Sequence, residues 1–500
     1  MRATRWLLTA AVILAVPMAG LVAWLYVDSV QTNVGDLEFR NDLAIPPLLE
    51  PTVDQEGRKV FDLRLRAGQS ELLDGITSQT WGVNGDYLGP TLRAERGDDV
   101  AVNVVNALDE PTSMHWHGMH LPAEADGGPH QPIAPGATWS PTWSVDQPAA
   151  SLWYHPHLHE STADHVYRGL AGMFIIDDPQ AGDVSLPETY GVDDIPLIIQ
   201  DKQFHADGSL DFTRSQTSSV GILGDEILVN GTHDPLLTVH SDLVRLRVLN
   251  ASNARIYDLG FTDDRLFWQV ASDSGLLPAP HETRRILLSP GERAELVVAF
   301  DPGDDVVLRS YPPDLGSSFD RLVGGEDTFD LLRIVAADEL EHMGGVPERL
   351  AEIEPLTAPD AEPDRTFALG DFQINGQKMD MARIDEVVAV GATEVWEVSN
   401  ASGDPHNFHV HDVHFQILSV DGAEPPPHLV GWKDTVFVPP GTSARIVTRF
   451  RDYTDSHHPY MFHCHILAHE DGGMMGQFTV VDPADLGTAP RQLRGTHEHQ

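Results

Sequence analysis

WGVNGDYLGPTLRAERGDDVAVNVVNA, residues 81–107, opens near an Asn-Gly pair and closes on an alternating run that stops at Asn-Ala. Two later stretches share this plan: ILVNGTHDPLLTVHSDLVRLRVLNAS (227–252), and FQINGQKMD (372–380) leading to VAVGATEVWEVSNAS (388–402). Their Asn-Gly asparagines, Asn84, Asn230 and Asn375, are 146 and 145 residues apart. A second marker recurs in IAPGATWSPTW, LSPGERAELVVAF and VPPGTSARIVTRF, whose Pro-Gly pairs begin at 135, 290 and 440. A period of this size is that of a domain, so the chain is a triplication and not a solenoid. Strings such as RLRVLNA and ARIVTRF alternate with period two between Gly, Pro, Asn and Asp, the pattern of short strands in a sandwich or barrel.

The expected architecture is therefore all-β, with three consecutive antiparallel β-sandwich domains over about 45–180, 190–335 and 365–483. Residues 336–364, acidic and Pro-containing, read as a linker, and 484–500 as a C-terminal tail. The N-terminus, MRATRWLLTAAVILAVPMAGLVAWLYVDS, has Arg2 and Arg5 ahead of an apolar run from Trp6 to Val27. That run is long enough to cross a bilayer, and the leading charges place the remainder outside the cytoplasm. Residues 1–27 are expected to be an uncleaved membrane anchor, with a cleaved signal peptide as the alternative, and 28–44 a short stalk.

The 500 residues carry 32 basic and 76 acidic side chains, a net charge of −44. Phosphate binding needs a basic footprint, so nucleic acid is excluded as a partner. A single cysteine rules out an intrachain disulfide and leaves packing and metal binding as the means of stabilising the chain. Histidine, by contrast, occurs 25 times.

Four His-x-His pairs stand out: His115/His117 in HWHG, His155/His157 in HPHLH, His409/His411 in HVH, and His463/His465 in HCH. Chance at this composition gives roughly one such pair. On a strand, residues i and i+2 share a face, so each pair can offer two imidazoles to one place. All four lie in the first and third repeats, which puts an eight-histidine cluster at the interface of those domains and leaves the middle repeat as spacer and wall. In HCH, Cys464 faces away from its neighbours. Cys464, His469 and Met474, with His406 from DPHNFHVH, make a thiolate, two imidazoles and a weak axial thioether, the donor set of a blue-copper electron-transfer site. Met475 is the rival axial ligand.

With these segments in order, the chain resembles the multicopper oxidases, the family of laccases, bilirubin oxidases and bacterial copper-efflux oxidases. HWHG, WYHPH, HxxHxH and HCHxxxHxxxxM carry the resemblance, supported by GWKDTV and HCHILAHEDGGMM. It implies cupredoxin-like Greek-key domains and four copper ions per chain. The type 1 copper would be at His406, Cys464, His469 and Met474, and the type 2 copper at His115 and His409. The type 3 pair would be held by His117, His155, His157, His411, His463 and His465. Asp126 and Glu470 match the family's proton-supplying acids, and each follows copper ligands closely where oxygen reduction consumes protons.

The implied reaction takes single electrons from a small reductant at the type 1 copper, passes them through Cys464 and reduces O2 to water. Phenols and aromatic amines are the expected reductants, with cuprous, ferrous or manganous ion as the alternative. Asp404 is a candidate contact for the reductant. A third class, copper-free relatives that act as envelope scaffolds, conflicts with the complete ligand set. Two departures stand out: the family's usual His-Pro is His406-Asn407, with a small backbone change expected beside it, and the methionine-rich insertion of copper-efflux oxidases is absent.

Overall fold

The computed structural model describes residues 29–179, 184–213, 219–357 and 360–493. The expected membrane segment, residues 1–27, and the end of the tail, 494–500, lie outside the described residues. Among the described residues, no helix is long and apolar enough to cross a membrane.

Six sheets pair into three sandwiches. In the first, Lys59–Leu73, Ile76–Val83 and Asp99–Asn106 form the centre of one sheet. The facing sheet contains Leu92–Glu95, Gly172–Asp177, Ala150–His155 and His115–His117. Alternate residues supply the filling: Phe61, Leu63 and Leu65 pack with Val100, Val102 and Val104 in one buried cluster. The second sandwich stacks a six-stranded on a seven-stranded sheet, and the third pairs two sheets of five. Each has its own large apolar core.

The recurring asparagines do the same job three times. Asn84, Asn230 and Asn375 have φ of 59°, 54° and 53°, the left-handed region that asparagine tolerates best among residues with a side chain. Their Oδ1 atoms accept from the N–H of Arg64, Ile198 and Ala368 at 2.7, 2.8 and 2.8 Å. The strand-end asparagines repeat likewise: the Nδ2 groups of Asn106, Asn250 and Asn400 donate to the carbonyls of Ile133, Leu288 and Val438. Their own carbonyls accept from the N–H of Gly136, Gly291 and Gly441, tying each strand to its Pro-Gly turn.

Three expectations need correction. The sheets are mixed, not purely antiparallel: each of the six contains a parallel pair, such as Lys59–Leu65 beside Val100–Asn106. Alternation reports burial, not direction, and a long connection can return a strand parallel to its neighbour. Residues 29–44 are no free stalk. Asn41–Asp42 pairs in parallel with Pro235–Leu236, Thr32 bridges Thr328, and Leu43 and Asn33 are buried against the second sandwich. The linker is shorter than read, because the strand Phe329–Glu341 runs through its start and Leu350 packs in a small apolar cluster with Val270 and Leu277.

Candidate metal centre

The His-x-His pairs sit where strands run out. His115–His117 is a three-residue strand, Ala150–His155 ends on the first histidine of its pair, and Asp455–His463 ends just before Cys464. His411 follows the strand His406–Val410. This releases alternate side chains from sheet packing while holding their backbones. All eight imidazoles are buried and converge between the first and third sandwiches. His115 stacks on His411 with centroids 3.8 Å apart, and His117 on His409 at 3.7 Å.

The two rings of one pair do not stay together. His155 faces His465, Nε2 to Nε2 at 3.5 Å, whereas His157 faces His463 at 3.1 Å. His411 Nε2 joins the latter group, 3.3 Å from His463 Nε2. Outward nitrogens explain the orientation. The Nδ1–H groups of His115, His155 and His409 donate to the carbonyls of Asp126, Pro156 and Asp434, each at 2.8 Å. That of His463 donates to the Cys464 carbonyl at 3.1 Å. An imidazole whose Nδ1 carries the proton presents a bare Nε2. Those of His115 and His409 are buried without any partner. His117 is turned the other way: its Nε2 faces the Asp434 carboxylate at 3.0 Å, and its Nδ1 is the orphan.

Burial is the main reason six of these histidines are held neutral. It lowers His157 to about 3 and His409 to about 4, and holds His117, His155, His411 and His465 well below the ordinary value. Neutral imidazoles with converging lone pairs repel one another unless a cation lies between them, so the arrangement is that of a metal site.

Besides Asp434, two acids lie at the cluster. Asp126 Oδ2 accepts from His411 Nδ1 at 2.8 Å, and its Oδ1 has no hydrogen-bond partner. Glu470 stands 3.4 Å from His157 Nδ1 and 3.2 Å from His463 Nδ1. Burial works against its charge, but His157 and His463 outweigh that and hold it well below the usual carboxylate range.

On the other side of the HCH segment, Cys464 Sγ lies 3.7 Å from His406 Nδ1 and 3.6 Å from His469 Nδ1, and those nitrogens are 3.0 Å apart. The far nitrogens are anchored, His406 Nε2 to Ser402 Oγ at 3.0 Å and His469 Nε2 to the Ser219 carbonyl at 2.7 Å. Burial pushes the Cys464 thiol up to about 12 and lowers His406 to about 3 and His469 to about 4. Met474 is fully buried in the same core cluster, and its carbonyl accepts from Cys464 N–H at 3.1 Å. Met475 belongs to the strand Met475–Val481, paired with His463, and lines a separate small cavity with Asn375 and Asp385. His406 and His469 form one wall of a cavity of about 530 Å³, whose lining includes Leu369, Asp371, Phe372 and Asp404. The Asp404 carboxylate accepts from Ser219 Oγ at 3.0 Å.

The middle domain does more than separate its neighbours. Arg293, fully buried, grips Asp434 through Nη1–Oδ1 at 2.7 Å and Nη2–Oδ2 at 2.6 Å. Asp434 thereby holds His117 with its carboxylate and His409 with its carbonyl. Beside them, buried Lys433 pairs with Asp273 at 2.9 Å and Glu292 at 3.0 Å. GWKDTV marked Lys433 and Asp434, but no local pattern pointed to Arg293, whose partner is 141 positions away. Three further histidines near the motifs have protein partners: His120 lies between Asp412 and Asp452, His165 bonds Thr112 and Glu110, and His414 bonds the Gly118 carbonyl.

Fold and site together describe three sandwiches with two adjoining groups of buried side chains that could hold metal. Family models for multicopper oxidases match residues 64–181 and 348–484. The chain is 37% identical over 452 residues to the multicopper oxidase mco of Staphylococcus aureus, covering 90% of this chain and 94% of that one. It is equally 37% identical over 446 residues to the cell division protein FtsP of Escherichia coli, covering 88% and 92%. A laccase structure from Pediococcus acidilactici superimposes with a TM-score of 0.80 at 36% identity, over 89% of this chain and 94% of that one. The protein belongs to the multicopper oxidase family. The donors present fit the metal this family implies: a sulfur with two imidazoles beside a thioether residue suits copper, as do orphaned imidazole nitrogens converging in a buried pocket.

Proposed function

We propose that the protein is an oxidase with four coppers, one at His406, Cys464, His469 and Met474, and three within the eight-histidine cluster. The observation that carries this reading is the placement of Cys464. Its sulfur sits with His406 and His469, while the residues on either side, His463 and His465, reach into the cluster. Copper held by these residues would supply one-electron redox chemistry at the sulfur site and four-electron reduction of O2 at the cluster. The chain supplies the rest. His406 and His469 would meet the reductant at the cavity wall, and the two backbone paths from Cys464, to His463 and to His465, would carry the electron. Asp126 and Glu470 stand beside the oxygen site as the carboxylates through which protons would be relayed to it.

Phenols and aromatic amines are the proposed reductants, supported by the open cavity beside Phe372 and Leu369. A second reading, oxidation of a cuprous, ferrous or manganous ion, is favoured by Asp371 and Asp404 in the same lining and by the acidic surface. The copper-free scaffold role open to relatives named for cell division is disfavoured by the retention of every donor. We place the protein outside the cytoplasm, anchored or released at residues 1–27.

Oxygen uptake by the copper-loaded protein, offered a phenol and cuprous ion in parallel, tests this. Fast uptake with the phenol supports the laccase-like reading, and uptake with the ion alone supports the metal-oxidase reading. Copper-loaded protein that consumes no oxygen with either donor defeats the proposal.

A further inference from the structure

Asn407 occupies the position next to His406 where the sequence departs from its relatives' usual proline. Its side chain is fully buried and uses all of its main bonding capacity. Nδ2 donates to Ser289 Oγ at 2.9 Å and to the Pro290 carbonyl at 2.8 Å, both in the Pro-Gly turn of the middle domain. Oδ1 accepts from the backbone N–H of His465 at 2.6 Å. That oxygen also stands 3.6 Å from Cys464 Sγ. The two donor bonds and the acceptor bond fix which way the amide points, because a flipped group would aim N–H at N–H. One carboxamide thus joins three parts of the molecule: the middle domain, the arm of the cluster that carries His465, and the sulfur of the electron-accepting site.

We propose that Asn407 is a positioning residue that locks the Cys464–His465 backbone and lowers the reduction potential of copper bound at Cys464. The inference rests on the copper assignment above. A carbonyl oxygen places the negative end of its dipole against the thiolate sulfur. This leaves the sulfur more electron-rich and favours the oxidised over the reduced ion, hydrogen bonding around that sulfur being a known determinant of potential in such sites. The bond to His465 N–H works in the same direction, since it keeps that donor occupied and away from the sulfur.

Asn407→Leu keeps the branched shape and removes every polar contact, and Asn407→Ala does so without steric demand should leucine not fit. Two readouts are needed. Redox titration of the blue absorption is expected to shift the oxidised-to-reduced ratio at fixed ambient potential about tenfold toward the reduced form, which for a one-electron couple is about 59 mV upward. Hydrogen exchange in the metal-free protein is expected to show faster exchange at the His465 amide. A ratio that moves less than twofold, or moves toward the oxidised form, overturns the proposal even if exchange quickens, because a merely structural tether predicts faster exchange alone. Failure of the copper assignment itself is seen separately, as wild-type protein that takes up copper without a blue absorption.

Discussion

Asp471 caps a helix that belongs to another domain: its Oδ1 accepts from Thr162 N–H at 3.0 Å and its Oδ2 from Ala163 N–H at 2.9 Å. The helix Thr162–Arg168 has no cap of its own, since the Ser161 side chain makes no capping bond. The short helix Leu467–Asp471, which also carries His469 and Glu470, is thereby fastened to the first sandwich. Asp471→Ala should lower stability by about 1–2 kcal/mol, as loss of a cap does. Asp471→Asn should cost less, because its oxygen still accepts. Chemical unfolding of the metal-free proteins gives both values, and an alanine variant as stable as wild type would refute the capping role.

Cys464→Ser should abolish the blue absorption and reduce oxygen uptake to background while leaving the fold intact, since the side chain is small and enclosed in the third core. Glu470→Gln should keep the blue absorption and slow oxygen reduction by about 10²-fold or more, the usual scale for losing a proton donor. Stopped-flow reduction of the blue site separates the two. It should proceed normally with the glutamine variant and reoxidation alone should be slow.

His120 links solvent-facing Asp452 to buried Asp412, at 2.5 and 2.7 Å. Burial opposes its charge, yet Asp412 and Asp452 outweigh it and raise the imidazole from 6.5 to about 9. A folded-state value above the unfolded one means that the stabilisation is complete below about pH 6.5 and is lost as pH rises through about 9. The effect amounts to at most about 3 kcal/mol. Unfolding free energies measured across that window should fall with pH in wild type, and His120→Gln should remove most of the slope.

Gly118, the last residue of HWHG, has φ +82°, and a Cβ there would lie 2.6 Å from Asp434 Oδ2 and 2.7 Å from Arg293 Nη2. The motif's glycine leaves room for the clamp on His117. Gly118→Ala should destabilise the protein by on the order of 3 kcal/mol, combining left-handed strain with displacement of a packed ion pair. Copper analysis should show the cluster depleted while the Cys464 site stays filled. Equal loss at both centres would mean general unfolding instead.

The triplicate plan was legible because Asn84, Asn230 and Asn375 need a conformation few residues accept, so the same residue returns wherever that turn returns. The gathering of the histidines was legible because residues i and i+2 of a strand share a face, so each His-x-His pair offers two rings to one side. Strand direction was not, since Lys59–Leu65 alternates identically whether its neighbour runs with it or against it. Arg293 was invisible for a different reason: its value lies in reaching Asp434 across a domain boundary, which leaves no mark on its own neighbours in sequence. Residues 29–44 misled by composition, because Leu43 is docked by backbone pairing beside Asn41–Asp42, and Asn33 by its side-chain amide, which donates to the Asp330 carbonyl and accepts from its N–H, and not by a strong apolar pattern.

The first and third sandwiches share one cluster, and this imposes an order in time. A ribosome completes His115, His117, His155 and His157 early, yet their counterparts come only with the third sandwich, His409 and His411 first and His463 and His465 last. The sulfur of Cys464 arrives in the same final stretch. A chain released before that point has neither centre. Under the proposed copper assignment, full metal content would therefore report finished synthesis and correct closure of the chain.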